Sequence, residues 1–527
     1  MTQLAPGSTT TFTMSSGDPV SWGLSEVPAE ADRPTRFPVR ISANHRFLVD
    51  ADGAPWRLQA DSAWLMSSEA TPQEVDQYLR TRSAQGFNAF YLMAMVHAGD
   101  YEDAKHAPND RRGDPPLTRP DDYSSAAGSA ASRRYWSWVD DIIVKAGQYG
   151  MAVILAYNYL GWQGGAQGWY AVNAAQPDDT SLHDWGMWLG RRFKDRANVI
   201  WLGLGDYVPP PGSQGARRAV AVAQGIRDAG ATQLFVAEPA GPDGIPGEAP
   251  EFGSQVDMNS FYGYGPGGRG AVYETADRAW RDTPTRPAWM QEGTYEYENN
   301  SGHFSGEPWD TRRARYWSVL AGGTAGDGFG NRDVWRWRNL PGALATPGAT
   351  YSEHAFAFFA TMRWWLLEPS GTDPGFAGAN LIPLGSGTYG GLDYITAART
   401  SDHRWLLAYV PVTRAGQRTF SVTLDGLASD VWARWFDPTT GGYLAASPKP
   451  LAPHGRHAFT TPGARADGTD DWLLVLDTDG PDPCGTMTPA GVYTAPATVL
   501  SSVRCRVTAT LESDPSVITA ATVTFSP

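Results

Sequence analysis

Two carboxylates among the 56 Asp+Glu of this chain stand where chemistry could be done. Asp206 closes the apolar run NVIWLGLGD (198–206), and Glu292 closes PAWMQEG (287–293). Each ends a strand-like segment and meets irregular, glycine-containing chain. A carboxyl held there sits on rigid backbone, with its pKa open to tuning by neighbours. Hydrolysis of a glycosidic bond needs two such groups: one protonated to donate to the leaving oxygen, one ionised to attack carbon or activate water. The competing reading is structural, with Asp206 capping the turn DYVPPPG and Glu292 paired to a nearby arginine. Other strand ends offer Asp61, His97, Tyr157, Asn158, Glu238, Tyr262 and Asp327 as groups that would meet a substrate.

The elements that must position these groups follow from periodicity. Eight short apolar runs begin with WRLQADSAW (56–64) and end with VLAGGTAGDGFG (319–330), and helical patterns separate most of them. TPQEVDQYLRTRSAQG carries Thr71 as a candidate N-cap, Pro72 in the first turn and a terminating Gly86. This alternation predicts an α/β chain, a (β/α)₈ TIM barrel over residues 37–375, whose active site forms at the C-terminal ends of the strands. An open doubly wound sheet is the rival, but no glycine-rich dinucleotide fingerprint opens the first unit, and no cofactor is expected. Beyond residue 375 the helical texture stops. Short strands such as DVWARWFDPTTGGYL and DWLLVLDTD predict a β-sandwich domain over 376–480, and a Thr/Val-rich alternating segment predicts a small Ig-like β module over 481–527. Residues 1–36 read as an arm, either unstructured or adding strands to another domain.

Composition narrows the partners. A net charge of -14 argues against nucleic acid or an anionic membrane. No apolar run reaches the ~18 residues of a membrane span. The 22 Trp and 22 Tyr can stack on sugar faces, although most large rings of a barrel are core filler. Cys484 and Cys505 are the two cysteines; they permit one disulfide in the C-terminal module, and no metal-ligand cluster accompanies them. No basic-then-apolar leader is visible over the first residues.

The candidate residues also carry a likeness. FPVRISANHRFLVDADGAPWRLQADSAWLM, with Asp61 and Trp64 at the first strand end, resembles the apiosidase-like barrel family, classed with glycoside hydrolase family 140. So do Gly205–Asp206 closing strand four, Glu292, Tyr295 and Glu296 after strand seven, and RRARYWSVLAGGTAG…FGN…VW ending at Trp335. ARWFDPTTGGY and DWLLVL resemble the collagen-binding-type β-sandwich that follows this barrel. The likeness spans roughly residues 37–478. It implies a retaining glycosidase with Asp206 as acid/base and Glu292 as nucleophile, and it adds Trp64, Tyr295 and Trp335 to the substrate-binding set. The implied substrate is an oligo- or polysaccharide of plant or microbial origin, with apiose or another furanose such as arabinose released. The chain departs from the family's pattern at Glu238–Pro239 in place of His-Pro, at Ser260–Tyr264, and at Gly326–Asp327 in place of Gly-His. All three would line the pocket, so the sugar read there differs.

A non-catalytic carbohydrate-binding or adhesion protein on a degenerate barrel is the alternative; keeping both Asp206 and Glu292 argues against it. An esterase would need a Gly-x-Ser-x-Gly elbow with suitable partners, and none is present. His97 and His303 are read as pocket-lining candidates only. The domain type points to a secreted or cell-surface protein, while a cytoplasmic location and self-association into a homo-oligomer stay open.

Overall fold

In a computed structural model, the structure describes residues 35–97, 104–238, 244–245, 251–263, 272–298, 306–370 and 380–478, together with strands or bridges over 2–3, 9–12, 20–27, 486–487, 492–494, 503–511 and 518–525. By internal contacts the chain divides into Pro34–Leu344 and a second unit made of Met1–Arg33 with Ala345–Pro527. Helix Pro347–Ala360 falls in the second of these units.

The first unit is the eight-stranded barrel. Its strands are β1 (Leu58–Asp61), β2 (Ala89–Met93), β3 (Ala152–Ala156), β4 (Val199–Leu204), β5 (Phe235–Glu238), β6 (Asn259–Gly263), β7 (Ala288–Gly293) and β8 (Gly326–Phe329). Every ladder between them is parallel, and β8 returns to β1 from Gly326 opposite Leu58 to Phe329 opposite Asp61. β5 and β6 share no ladder. Asp257 joins them instead: its N–H donates to the Phe235 carbonyl at 2.8 Å, and its carboxylate accepts from the Phe235 N–H at 2.7 Å.

Six main helices cover the strands: α1 (Pro72–Ala84), α2 (Ala130–Gln148), α3 (Asp179–Phe193), α4 (Gln214–Asp228), α5 (Val272–Arg281) and α6 (Pro308–Leu320). Helix α1 begins as its sequence predicts. The Thr71 hydroxyl accepts from the Glu74 N–H at 3.2 Å, and the Glu74 carboxylate accepts from the Thr71 N–H at 2.8 Å. This reciprocal cap satisfies two donors that the first turn leaves open. At the starts of α2, α3 and α4 the Ser129, Asp178 and Ser213 side chains each accept one first-turn N–H, from Ser132, Ser181 and Ala216.

Strand parity decides which residues face the interior. Leu58, Ala60, Tyr91, Met93, Ile154, Ala156, Ile200, Leu202, Val236 and Trp289 share one buried apolar cluster. Val39, Leu48 and Trp56 belong to it too. They come from the N-terminal stretch whose short antiparallel strands (Arg40–Ile41, Leu48–Val49, Pro55–Trp56) thereby close the barrel floor, leaving the opposite mouth for a site.

In the second unit a six-stranded antiparallel sheet, including Trp405–Val410, Trp432–Phe436 and Trp472–Asp477, packs with the pair Thr419–Thr423 and Arg456–Thr460 around Leu406, Phe420, Trp435, Phe459 and Leu474. This is the expected β-sandwich. The C-terminal strands do not stand alone: Val503–Leu511 pairs with Ile518–Phe525 on one edge and with Val20–Val27 on the other. The N-terminal arm thus supplies strands to the last module, whose own short chain buries too little surface by itself. Cys505 is fully buried and disulfide-bonded; Cys484 lies outside the described residues, as does His303.

Candidate active site

The β4 end does not run out smoothly. Leu204 (φ 65°), Gly205 (φ 104°) and Asp206 (φ 55°) are three consecutive residues in the left-handed region, costly for leucine and aspartate and so held by their surroundings. Gly205 has a second constraint, since a Cβ there would lie 2.3 Å from the Tyr159 ring. This turn presents the Asp206 carboxylate to two phenols. Tyr159 donates to Oδ2 at 2.6 Å, and Tyr262 donates to Oδ1. The Tyr262 hydroxyl also lies 3.2 Å from Oε1 of Glu238, which is 1 % exposed at the end of β5.

Glu292 reaches the same place through an irregularity. Along the β6–β7 ladder Phe261 pairs with Met290, but the next residue, Tyr262, pairs with Glu292, so Gln291 is an extra residue in β7. Trp289 faces the interior; strict alternation would put Glu292, three residues on, with the helices. The bulge resets the phase and turns Glu292 inward beside Tyr262. The carbonyl of Gln291 accepts from the Tyr91 hydroxyl.

Asp206, Glu238 and Glu292 therefore form one titrating cluster. Burial and then the Asp206 charge hold both Glu238 and Glu292 well above the usual carboxylate range. The Glu238 carboxyl, by charge and by proximity, adds to the upward displacement of Glu292. Burial raises Asp206 as well, while the Tyr159 and Tyr262 hydroxyls pull it back. Tyr262 itself is pushed up by burial and by the Asp206 and Glu238 charges, so it remains a donor. Three acids displaced upward at a barrel mouth can hold protons at pH values where free carboxyls are ionised.

Aromatic rings extend the site. Trp64 stacks on Tyr91 at 4.5 Å between centroids, lies 6.4 Å from Tyr159, and donates from its indole nitrogen to the Tyr295 hydroxyl at 2.8 Å. The Glu292 charge acts on both Tyr91 and Tyr295. Glu296 is fully buried and accepts from the Asn331 amide at 2.8 Å. Trp335 is half-buried beside the interior cluster, with the Arg336 guanidinium over its ring. His97 bonds the Ala166 carbonyl at 2.8 Å and packs edge-on to Trp169.

The structure does not bring the remaining candidates to the acids. Asp61 has the parity opposite to Ala60; it is fully buried and accepts from Arg82 at 2.7 Å and Tyr78 at 2.9 Å, both on α1. Tyr157 packs on the helix-facing side against Trp201 and Gly203. Asn158 is buried in a polar set with Tyr123 and Asn173. Asp327 is gripped by Arg57 and by Arg315 of α6; burial raises it, but the two arginines overcome this and hold it below the usual range. One of the three departures from the family pattern thus lies away from the carboxylate cluster. Sequence reasoning passed over Tyr91, Tyr159 and Gln291; the Tyr-Asn-Tyr at the end of the β3 run was a signal for the second.

The grip on Asp327 carries an expectation. Asp327→Asn removes the carboxylate charge that both buried guanidiniums hold, which should destabilise the fold by about 3–5 kcal/mol and lower the denaturant midpoint. The folded fraction should keep its turnover. An unchanged midpoint with lost turnover would instead mean that Asp327 meets the substrate.

Against known families, residues 42–366 match the model described as "Apiosidase-like, catalytic domain". Residues 384–477 match a second model, described conjecturally as the collagen-binding domain of a collagenase. No curated protein matches the chain. Among solved structures, one described as "Glycoside hydrolase" is similar with a TM-score of 0.69 at 19 % identity, covering 87 % of this chain and 99 % of that one. A glycoside hydrolase family 5 protein from Bacteroides vulgatus ATCC 8482 is similar with a TM-score of 0.68 at 19 % identity, covering 87 % and 95 %. At this identity these two likenesses speak for the fold.

Proposed function

From the premise that the chain belongs to the apiosidase-like family and is an O-glycosyl hydrolase, we propose that it is a retaining enzyme with Asp206 as acid/base and Glu292 as nucleophile. The convergence of Asp206, Glu238 and Glu292 from β4, β5 and β7 on one point carries this reading. Among the charges acting on Glu292, that of Asp206 is the strongest, and a retaining pair would hold its two carboxyls ~5–5.5 Å apart. In the first step the Asp206 proton passes to the glycosidic oxygen as the bond from that oxygen to the anomeric carbon breaks. A Glu292 oxygen forms the new bond to that carbon. In the second step Asp206 takes a proton from water, whose oxygen displaces Glu292.

The proposed substrate is a plant or microbial oligo- or polysaccharide bearing a furanose such as apiose or arabinose. Glu238 stands where the family pattern has histidine and lies against the nucleophile, so the sugar is read differently here. The second family match supports a secreted or cell-surface location. A screen of aryl glycosides with pectic, arabinan and arabinogalactan polysaccharides tests the activity, and proton NMR of the first product tests the mechanism. Retained anomeric configuration is expected; inversion would remove Glu292 as nucleophile.

One observation favours an exchanged assignment. Two tyrosine hydroxyls donate to Asp206 and favour its ionised form, while Glu292 is the more strongly raised acid. The exchanged roles would make Asp206 the nucleophile, and the two variants treated in the Discussion separate the cases.

Glu238 tunes rather than reacts. Its charge and its hydrogen bond both raise Glu292, so Glu238→Gln should let Glu292 stay ionised to lower pH. The acid limb of kcat/KM should then move down in pH, with turnover kept within about 100-fold. An unmoved acid limb would mean that Glu238 does not set the nucleophile's titration. Abolished turnover, with Asp206→Asn active, would give Glu238 the acid/base role.

A further inference from the structure

Among the described residues, Trp162 is the one tryptophan with a largely exposed ring, at 50 %. Its position is tied to Asp206 on both sides. Three residues before it, the Tyr159 hydroxyl bonds the Asp206 carboxylate; one residue after it, the Gln163 N–H donates to the Asp206 carbonyl at 3.4 Å. Between these tethers the Leu160 N–H donates to the Leu204 carbonyl at 2.9 Å.

The segment is also stiff. Gly161 (φ 89°) and Gln163 (φ 54°) flank Trp162 in the left-handed region, and a Cβ on Gly161 would lie 2.7 Å from the Gly168 nitrogen. The Trp169 N–H closes the loop on the Tyr159 carbonyl at 2.8 Å, and its indole donates to the Met95 carbonyl at 3.2 Å. An indole held in water by a backbone of this kind is a preformed surface that costs little ordering when a ring lies on it.

We propose that Trp162 is the stacking platform for the sugar on the leaving side of the scissile bond, so that the bond cleaved joins the released sugar to a second sugar ring. The inference rests on the reading of Asp206 as acid/base: a ring tied to the acid flanks the oxygen that the acid protonates. Asp206 and Glu292 act at the anomeric carbon, whereas Trp162 buries the apolar face of the ring that departs.

The test compares two substrates on the full chain: the polysaccharide from the pectic, arabinan and arabinogalactan panel that the wild type cleaves, and the glycosyl fluoride of the same sugar, which has no leaving-side ring. Trp162→Ala should lower kcat/KM on the polysaccharide by about 10- to 100-fold, the worth of one ring face buried. The loss should appear in KM. The fluoride should stay within about two-fold, and Trp162→Phe should recover most of the polysaccharide activity. A polysaccharide-to-fluoride ratio that Trp162→Ala leaves unchanged, in an active wild type, overturns this inference alone. A wild type inactive on every substrate overturns both this inference and the glycosidase reading.

Discussion

Glu292→Ala is expected to lose about 10⁴-fold or more in kcat, because no covalent intermediate can then form. The loss should be similar for activated and unactivated leaving groups, since the missing step is attack at carbon. Azide should restore part of the turnover by entering the space the carboxylate leaves. The product would then be a glycosyl azide of inverted configuration, formed in a single displacement with Asp206 still donating its proton. The Gln291 bulge adds a control. Deleting Gln291 removes the bulge yet leaves Glu292 two residues from the inward-facing Trp289, so a folded deletion variant should keep Glu292 in the site and retain more turnover than Glu292→Ala. A Glu292→Ala protein that keeps more than about a tenth of wild-type kcat would end the nucleophile assignment.

Asp206→Ala should show a different signature. General acid catalysis contributes about 10²–10⁴-fold, and this is needed only where the leaving group is poor. Turnover of polysaccharide should therefore fall by that factor, while glycosylation by a dinitrophenyl glycoside should be nearly spared. Azide should accelerate the second step and give a glycosyl azide of retained configuration, because Glu292 has already inverted the carbon once. The alkaline limb of the pH profile should also vanish, since burial raises Asp206 and its loss of a proton ends acid catalysis in the wild type. If the two variants exchange these signatures, Asp206 is the nucleophile and Glu292 the acid, as the tyrosine donors on Asp206 would then explain.

Much of this architecture was legible before any coordinates. Apolar runs closed by turn residues and separated by capped helices specify a βα repeat, and Thr71 with Pro72 marks the start of α1 by local chemistry alone. That the runs end in Asp206, Glu238 and Glu292 followed from the same reading, because a strand's last residue is a matter of chain order. Which way a residue faces is different in kind. Neighbouring strand residues alternate between faces, but the phase is set by closure of the sheet and by bulges, and both are properties of the folded whole. Asp61, Tyr157 and Asp327 stand at strand ends with the wrong parity and answer to Arg82, Trp201, Arg57 and Arg315. Glu292 would share their fate if Gln291 were paired in regular register instead of bulged. Pairings between distant segments were equally out of reach: the hydrogen bond of Tyr159 to Asp206 spans 47 residues, and Val20–Val27 finds its partner strand at Val503–Leu511. Composition and period determine that a barrel with acidic strand ends must form; only packing in three dimensions decides which of those acids meet in one cluster.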